Sequence, residues 1–587
     1  MEKATDKQLK VNFPKTMLMG TAFAGVSIAL ALLPYLTVML ERFLLDSPVV
    51  AGWSTRFAGV SWLSDFIATQ GYGEAAGAGF TIAPLLVGAI MAIFYAIGMV
   101  FQPVFGKMSD NWHSRFGKRR PFIVLLMPIS AVFFVLMTFA NTLTSLMIFF
   151  IIFSFIMAAY RVPSVSLMPD LTPSELRSSA NAVVSLMGGL GTILGMGAGM
   201  GIAIVYRAIH DIPAEQFNQF DIFSHIFIFG AVVMLICTGM MYFVKEKDTR
   251  LIKGDVLDQR NEAELRAAEK AAKKAEKAQN KQEKLSPKER RSLLFMLCAL
   301  FFLFSGSNVI QTFFALFAAE ILHRDATFAM ILMALFAVCA AAGAVPAGAL
   351  GRKFGRRNTM IGGLAVIMSA LAVFFGVFLF ASARNGMNMN QYVTLNNAYV
   401  AVMDQAAQHN EDLGLEPADW YTPQMLVAAN PENFTNLTVL SHEILETDAN
   451  LTAYEAFEAI ETAVQANLSV FNILIVPVLI VAGSSSMMIM VNAMPLVVEL
   501  GGKKRVGVFT GYYYIATFSA QIISPIAYGL FHVIFSGSYI SLFYYVPVMF
   551  VISAAALLFV RHGEANKDNN PTEDDDALPI GGEEVTA

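Results

Sequence analysis

Runs of roughly 20 apolar residues, free of Asp, Glu, Lys and Arg, recur along the chain with short polar or basic segments between them. A helix that packs on a soluble core keeps a polar stripe opposite its apolar face. These runs show no such stripe. At a rise of about 1.5 Å per residue, about 20 residues cross the ~30 Å of bilayer hydrocarbon. The pattern predicts about twelve membrane-spanning helices, over residues 16–40, 80–105, 121–140, 143–168, 176–206, 222–244, 292–319, 327–350, 358–382, 469–497, 507–535 and 541–560.

The polar positions between the runs orient these helices. Lys118, Arg119 and Arg120, then Arg352, Lys353, Arg356 and Arg357, then Lys503, Lys504 and Arg505, fall on one side of the predicted bundle. Basic loops stay in the cytoplasm, so both termini are predicted to be cytoplasmic. The first run follows a lysine-bearing N-terminus but is longer than a signal-peptide core, and is read as an uncleaved helix. Residues 383–468 carry twelve acidic residues and one arginine, Arg384, which places them outside. This insertion is too long for an ordinary loop and is predicted to contain short helices. Its Asn-x-Ser/Thr triplets at Asn433, Asn436, Asn450 and Asn467 are read as chance in an asparagine-rich segment. The expected organisation is a six-helix half over 1–245, a solvated charged linker helix over 246–291, a second half over 292–560 and an acidic tail over 561–587.

Composition agrees with the pattern. Of 587 residues 56% are hydrophobic and 14% charged, against roughly 25% charged in a soluble domain. Cys237, Cys298 and Cys339 lie in apolar runs and read as packing residues. No nucleophile elbow, metal-ligand spacing or phosphate-cradling P-loop is present, so no enzyme chemistry and no ATP hydrolysis are expected.

The halves echo one another. Gly106-Lys-Met-Ser-Asp110 and Arg115-Phe-Gly-Lys-Arg119-Arg120 follow the second span; Gly351-Arg-Lys-Phe-Gly355-Arg-Arg357 follows the eighth. A tight turn there needs glycine, and its arginines can pair with helix C-terminal carbonyls. Duplication of a six-helix unit accounts for the repeat.

Gln102-Pro-Val-Phe-Gly106, Ser109-Asp110 and Ser114-Arg-Phe-Gly-Lys-Arg-Arg-Pro-Phe-Ile123 resemble the loop after helix two of the plant sucrose transporters and their animal and bacterial relatives. Tyr160-Arg161-Val-Pro-Ser and Ser166-Leu-Met-Pro-Asp170-Leu-Thr-Pro-Ser-Glu-Leu-Arg177-Ser-Ser-Ala-Asn181 are similar to the end of helix four in bacterial members, and to the glycoside–pentoside–hexuronide:cation symporters. Asn492-Ala-Met-Pro-Leu-Val-Val-Glu499, and Gly511-Tyr-Tyr-Tyr514 through Gln521-Ile-Ile-Ser-Pro525, resemble their helices ten and eleven. The resemblance implies an all-α major facilitator fold working by alternating access. It implies symport of a sugar, such as sucrose, maltose or another glucoside, with a proton or sodium gradient and no cofactor. A monomer in the cytoplasmic (plasma) membrane, with lipid and sugar but no nucleic acid as partners, goes with it. Three positions depart from the family. Asn111 replaces the arginine after the first-loop Asp, Gly351 stands where an Asp is usual, and Val165 replaces the helix-four arginine of the plant proteins, with Arg161 one turn earlier. A proton-coupled exporter of another small molecule and a non-transporting nutrient sensor are the alternatives.

Charge inside a bilayer is costly and usually functional. Arg161 lies ~13 Å deeper than Asp170 along its helix, and its guanidinium suits sugar hydroxyls, a carboxylate or backbone carbonyls. Polar groups within spans must face a cavity or another helix, which adds Asn308, Gln311, Asn492, Tyr513 and Gln521 as candidate substrate ligands. Candidate gating and coupling residues are Asp110, Arg115, Arg119, Arg120, Asp170, Arg177, Glu320, Arg356 and Arg357, with an Arg119–Asp170 pair as a possible gate. A proton site has to come from Asp110, Asp170, Glu320 or His225. Thr172-Pro173-Ser174-Glu175 reads as a capping box. Small residues at Gly191, Gly195 and Gly199, and at Ala342, Gly343, Ala347 and Gly348, predict smooth faces where spans five and eight meet between the halves.

Overall fold

The computed structural model describes residues 13–58, 82–112, 114, 116–172, 177–212, 217–244, 287–324, 326–384, 387, 389–413, 421–448, 450–501, 506–535 and 538–560. Among them, twelve helices are long and apolar enough to cross a membrane. They are α1 (Phe13–Leu45), α2 (Ala83–Asn111), α3 (Arg120–Leu136), α4 (Leu143–Leu171), α5 (Arg177–His210) and α6 (Phe223–Met241). The second set is α7 (Pro287–Ile321), α8 (Ala326–Phe354), α9 (Arg356–Arg384), α10 (Ala453–Gly501), α11 (Val506–Phe535) and α12 (Leu542–Leu558). The predicted spans and their order are met. α1 is bent at Leu32, between Phe13–Ala31 and Leu33–Leu45, because Pro34 lacks an N–H and its ring clashes with the preceding turn.

Packing repeats between the halves. In the first, α1 packs on α5, α2 on α4, and α3 on α6; in the second, α7 packs on α11, α8 on α10, and α9 on α12. The halves meet where α2 packs on α11 and α5 on α8, with the Leu33–Leu45 part of α1 against α7.

The duplicated turns define one face of the bundle, the basic face. Gly117 (φ 110°) and Gly355 (φ 86°) are the glycines with positive φ among the described residues, the conformation that glycine adopts without a Cβ penalty. Arg120 donates to the Tyr242 carbonyl at 2.6 Å, and Arg357 to the Leu557 and Leu558 carbonyls at 2.8 and 2.7 Å. Each arginine therefore closes the last turn of the sixth helix of its own half, the carbonyl pairing anticipated from the sequence.

The opposite face carries the insertion. It holds helices Met389–Asp412, Pro423–Ala429 and Thr435–Leu445, with a small core around Leu395, Tyr399, Leu426, Phe434 and Phe457. The expected boundary at 468 falls inside a helix, because α10 already begins at Ala453 and runs 49 residues into the bundle. The linker up to residue 286, the tail 561–587, the capping box at 173–175, Arg115, and Lys503 to Arg505 lie outside the described residues.

The small-residue faces act differently from the expectation. A Cβ on Gly191 would lie 2.5 Å from the Ala24 carbonyl oxygen, and one on Gly195 2.8 Å from Ala31 Cβ. Gly343 meets Ser484 of α10 in the same way. These faces seat α1 and α10 inside their own halves; on the α5 face, Gly199 meets Tyr35 and, in the other half, Thr327.

Candidate functional site

Ser154, Met157, Ala158 and Arg161 stand on one face of α4, at the i, i+3, i+4, i+7 spacing of a helical stripe. Phe94, Tyr95, Gly98 and Gln102 form a similar face on α2. With Phe518 of α11 they line a small pocket between the halves. Aromatic rings make its walls, and Gln102, Tyr95, Ser154 and Arg161 supply its polar atoms. Ser154 donates its hydroxyl hydrogen to the Phe150 carbonyl at 2.6 Å, which leaves its oxygen as an acceptor. No carboxylate pairs with Arg161 among the described residues. Its ionisable neighbours are the phenols of Tyr95 and Tyr160, uncharged at neutral pH. The pocket thus presents five unneutralised N–H donors beside apolar ring faces, a combination suited to a ligand rich in oxygen.

The other five proposed ligands do not converge on this pocket. Asn308 donates to Ser524 Oγ at 3.0 Å and to the Gln521 carbonyl at 3.3 Å, tying α7 to α11. Asn492 donates to the Met488 and Ala347 carbonyls at 2.9 and 3.3 Å, tying α10 to α8 beside Gly351. Tyr513 packs edge-on against Phe304 and Tyr514. The Gln521 side chain is half-buried and Gln311 is exposed. Tyr95, Ser154 and Phe518 were not singled out from the sequence, and Gln102 was noted only in its motif, not as a substrate ligand. Gln102, an amide inside a span and seven residues from Tyr95, was the available sign.

A second cluster sits at the basic face. Arg119 pairs with Asp110, reaches Asp170 at 2.9 Å through Nε, and donates to Ser109 Oγ. Its side chain is 7% exposed, the two carboxylates 59% and 42%. The Arg119–Asp170 pair forms, and all its members belong to the first half: it ties the ends of α2, α3 and α4 together. In the second half Arg356 opens α9 with Gly351 in place of the aspartate. Arg177 opens α5.

A third cluster lies at the insertion face. Glu320, at the end of α7, accepts from the Ser538 hydroxyl and from the Tyr539 N–H at 3.2 and 3.3 Å. The Tyr539 phenol in turn donates to Glu41 of α1. Glu41 was missed because it falls one residue past the predicted end of the first span. His225 is exposed, its Nδ1 3.3 Å from the Asp221 carbonyl oxygen.

Two like six-helix halves around a pocket with an unpaired, half-buried cation define a membrane transporter of the major facilitator type. The chain belongs to the MFS/sugar transport protein family, whose profile matches residues 79–407. Over 170 residues it is 31% identical to the sucrose transport protein SUC3 of Arabidopsis thaliana, covering 25% of this chain and 26% of that protein. The match thus spans about a quarter of the relative's length. Among solved structures, the nucleoside transporter NupG aligns with a TM-score of 0.51 at 12% identity, over 93% of this chain and 100% of that chain. The peptide transporter POT aligns at 0.50 and 11% identity, over 94% and 95%. At such identities the likeness is one of fold.

Proposed function

We propose that this transporter is a sugar:proton symporter that binds a glucoside or disaccharide such as sucrose or maltose in the pocket at Arg161. The carrying observation is the unneutralised guanidinium of Arg161 facing aromatic walls between the halves. Sugar recognition needs hydroxyl partners and ring faces together, and an ionisable residue within a span is usually functional. The sucrose transport named for the Arabidopsis relative supports the substrate class.

In this reading the basic face is cytoplasmic, with both termini inside, and the protein acts as a monomer in the plasma membrane. The halves are then joined at the outer face, an inward-facing state. Gly88 meets the Pro525 carbonyl there, and Gly529 meets Pro84 and Leu85. The Arg119 cluster holds the first half rigid during rocking, while Arg120 and Arg357 hold the helix ends that move with each half.

The test is uptake of radiolabelled mono- and disaccharides into proteoliposomes, with and without an inside-alkaline pH gradient. Saturable uptake of a disaccharide, raised severalfold by the gradient and accompanied by external alkalinisation, is expected. Sugar uptake indifferent to the gradient would remove the symport, and no uptake of any sugar would remove the substrate class.

A further inference from the structure

Among the described residues, the Glu41–Tyr539 and Gln219–Ala326 hydrogen bonds cross between the halves at the insertion face, and they share a pattern. In each, an acceptor side chain of the first half takes a donor held rigidly by the second. Glu41, near the end of α1, accepts the Tyr539 hydroxyl. Gln219, in the segment before α6, accepts the Ala326 N–H at 2.6 Å.

The donors are positioned by their own half. Tyr539 is 4% exposed. Its backbone N–H is fixed by Glu320, and its ring lies tilted against His532 at 4.5 Å and Phe313 at 6.1 Å. Ala326 opens α8, whose first-turn N–H groups have no partner within the helix. One of them is capped from the other half of the molecule. Gln219 is held by its neighbours: Phe220 lies under the Arg42 guanidinium at 4.4 Å, and Asn218 caps the short turn Gln219–Ile222.

We propose that Glu41–Tyr539 and Gln219–Ala326 are the paired latches of the outer gate, made when the insertion face closes and broken when it opens. The assignment rests on the alternating-access reading above. When the face is open, water satisfies all four groups. On closure each buried donor must find its acceptor, since a buried donor left unpaired is penalised. The latches therefore set the balance between the two states without touching the pocket. Ala326 adjoins Thr327, which meets Gly199 of α5, so the seam of α5 with α8 has both steric fit and a polar stop. Tyr539 and Gln219 are positioning residues in this scheme, and Glu320 acts through Tyr539.

The experiment uses the full chain in lipid nanodiscs, with spin labels at Val49→Cys and Arg324→Cys, exposed positions of the two halves at this face. Tyr539→Phe, Glu41→Leu and Gln219→Leu are each expected to raise the long-distance population at least fivefold. Glu41→Gln keeps an acceptor oxygen and is expected to stay close to wild type. Thr55→Ala, whose hydroxyl bonds within its own helix, is the control. A correctly folded Tyr539→Phe or Gln219→Leu protein with the wild-type distance distribution overturns the proposal. So does a Glu41→Gln variant that opens as far as Glu41→Leu, since charge would then be what matters. In proteoliposomes, latch variants should lower both the KM for external sugar and the turnover. If wild type moves no sugar, the functional reading fails while the distance measurement still decides the latches.

Discussion

Arg161 is half-buried and Arg119 buried in the first half, and their surroundings assign them opposite costs of removal. Arg161 has no hydrogen-bond or ion-pair partner among the described residues, so Arg161→Ala strands nothing. Its melting temperature is expected to equal or exceed that of wild type, because an unpaired charge within a span is costly to the fold. Sugar uptake is expected to fall at least 100-fold. Arg161→Lys should recover less than a tenth of it, an ammonium being a point charge without the planar fork. Uptake within twofold of wild type in Arg161→Ala would refute the ligand role. Arg119→Ala, by contrast, leaves Asp110, Asp170 and Ser109 without their shared donor. A loss of about 2 kcal/mol, typical of hydrogen bonds to charged groups, is expected in thermal melting. Both arginines were legible in the sequence, one by its depth in a span and the other by its motif. The amides were not. An asparagine in a span answers its desolvation by facing a cavity or by bonding a neighbouring helix, and Asn308, through Ser524, and Asn492, through Ala347, do the latter. Sequence spacing cannot separate the two solutions, because the partner lies more than a hundred residues away.

Helices show a similar division between what is local and what is not. Span length and the glycine turns are consequences of nearby residues and were readable; the bend at Pro34 is equally local but was not anticipated. Which helix a small face serves is a long-range matter: Gly191 and Gly195 serve α1, while Gly88 serves the seam with α11. Gly88 carries a prediction at this scale. A Cβ there would lie 2.1 Å from the Pro525 carbonyl oxygen, a backbone atom that cannot rotate aside. Gly88→Ala is therefore expected to force α2 and α11 apart at the insertion face and to slow uptake at least tenfold. Gly189→Ala meets nothing within 4 Å and should leave uptake unchanged. Equal rates for the two variants would show that the seam does not have to close during the cycle.

At the scale of the whole molecule, the count of helices and the repeat of the halves follow from the hydropathy pattern and the duplicated turn. The face on which the halves are joined does not, since it depends on side chains that meet across the two halves. The docking of the insertion is equally non-local. Asn396, fully buried, accepts from His323 Nε2 at 2.7 Å and donates to the Glu320 carbonyl at 3.0 Å. His323 stands at φ 47° just past the end of α7 and meets Tyr399 edge-on at 5.1 Å. Burial pulls its imidazole below the ordinary value of 6.5, with the Asn396 hydrogen bond acting weakly the other way. The undocked histidine therefore takes a proton at a higher pH than the docked one. Docking is at full strength above about pH 6.5 and weakens as pH falls below it toward the depressed value. Because His323 follows Glu320 by three residues, loosening there reaches the residue that holds Tyr539. Hydrogen exchange of helix Met389–Asp412, corrected for intrinsic rates, is expected to be faster at pH 5 than at pH 7.5 in wild type. His323→Gln keeps a donor and cannot titrate, so its protection should be flat over the same range. A pH response of the same size in His323→Gln would assign the effect to the acidic residues of the insertion and leave His323 a packing role.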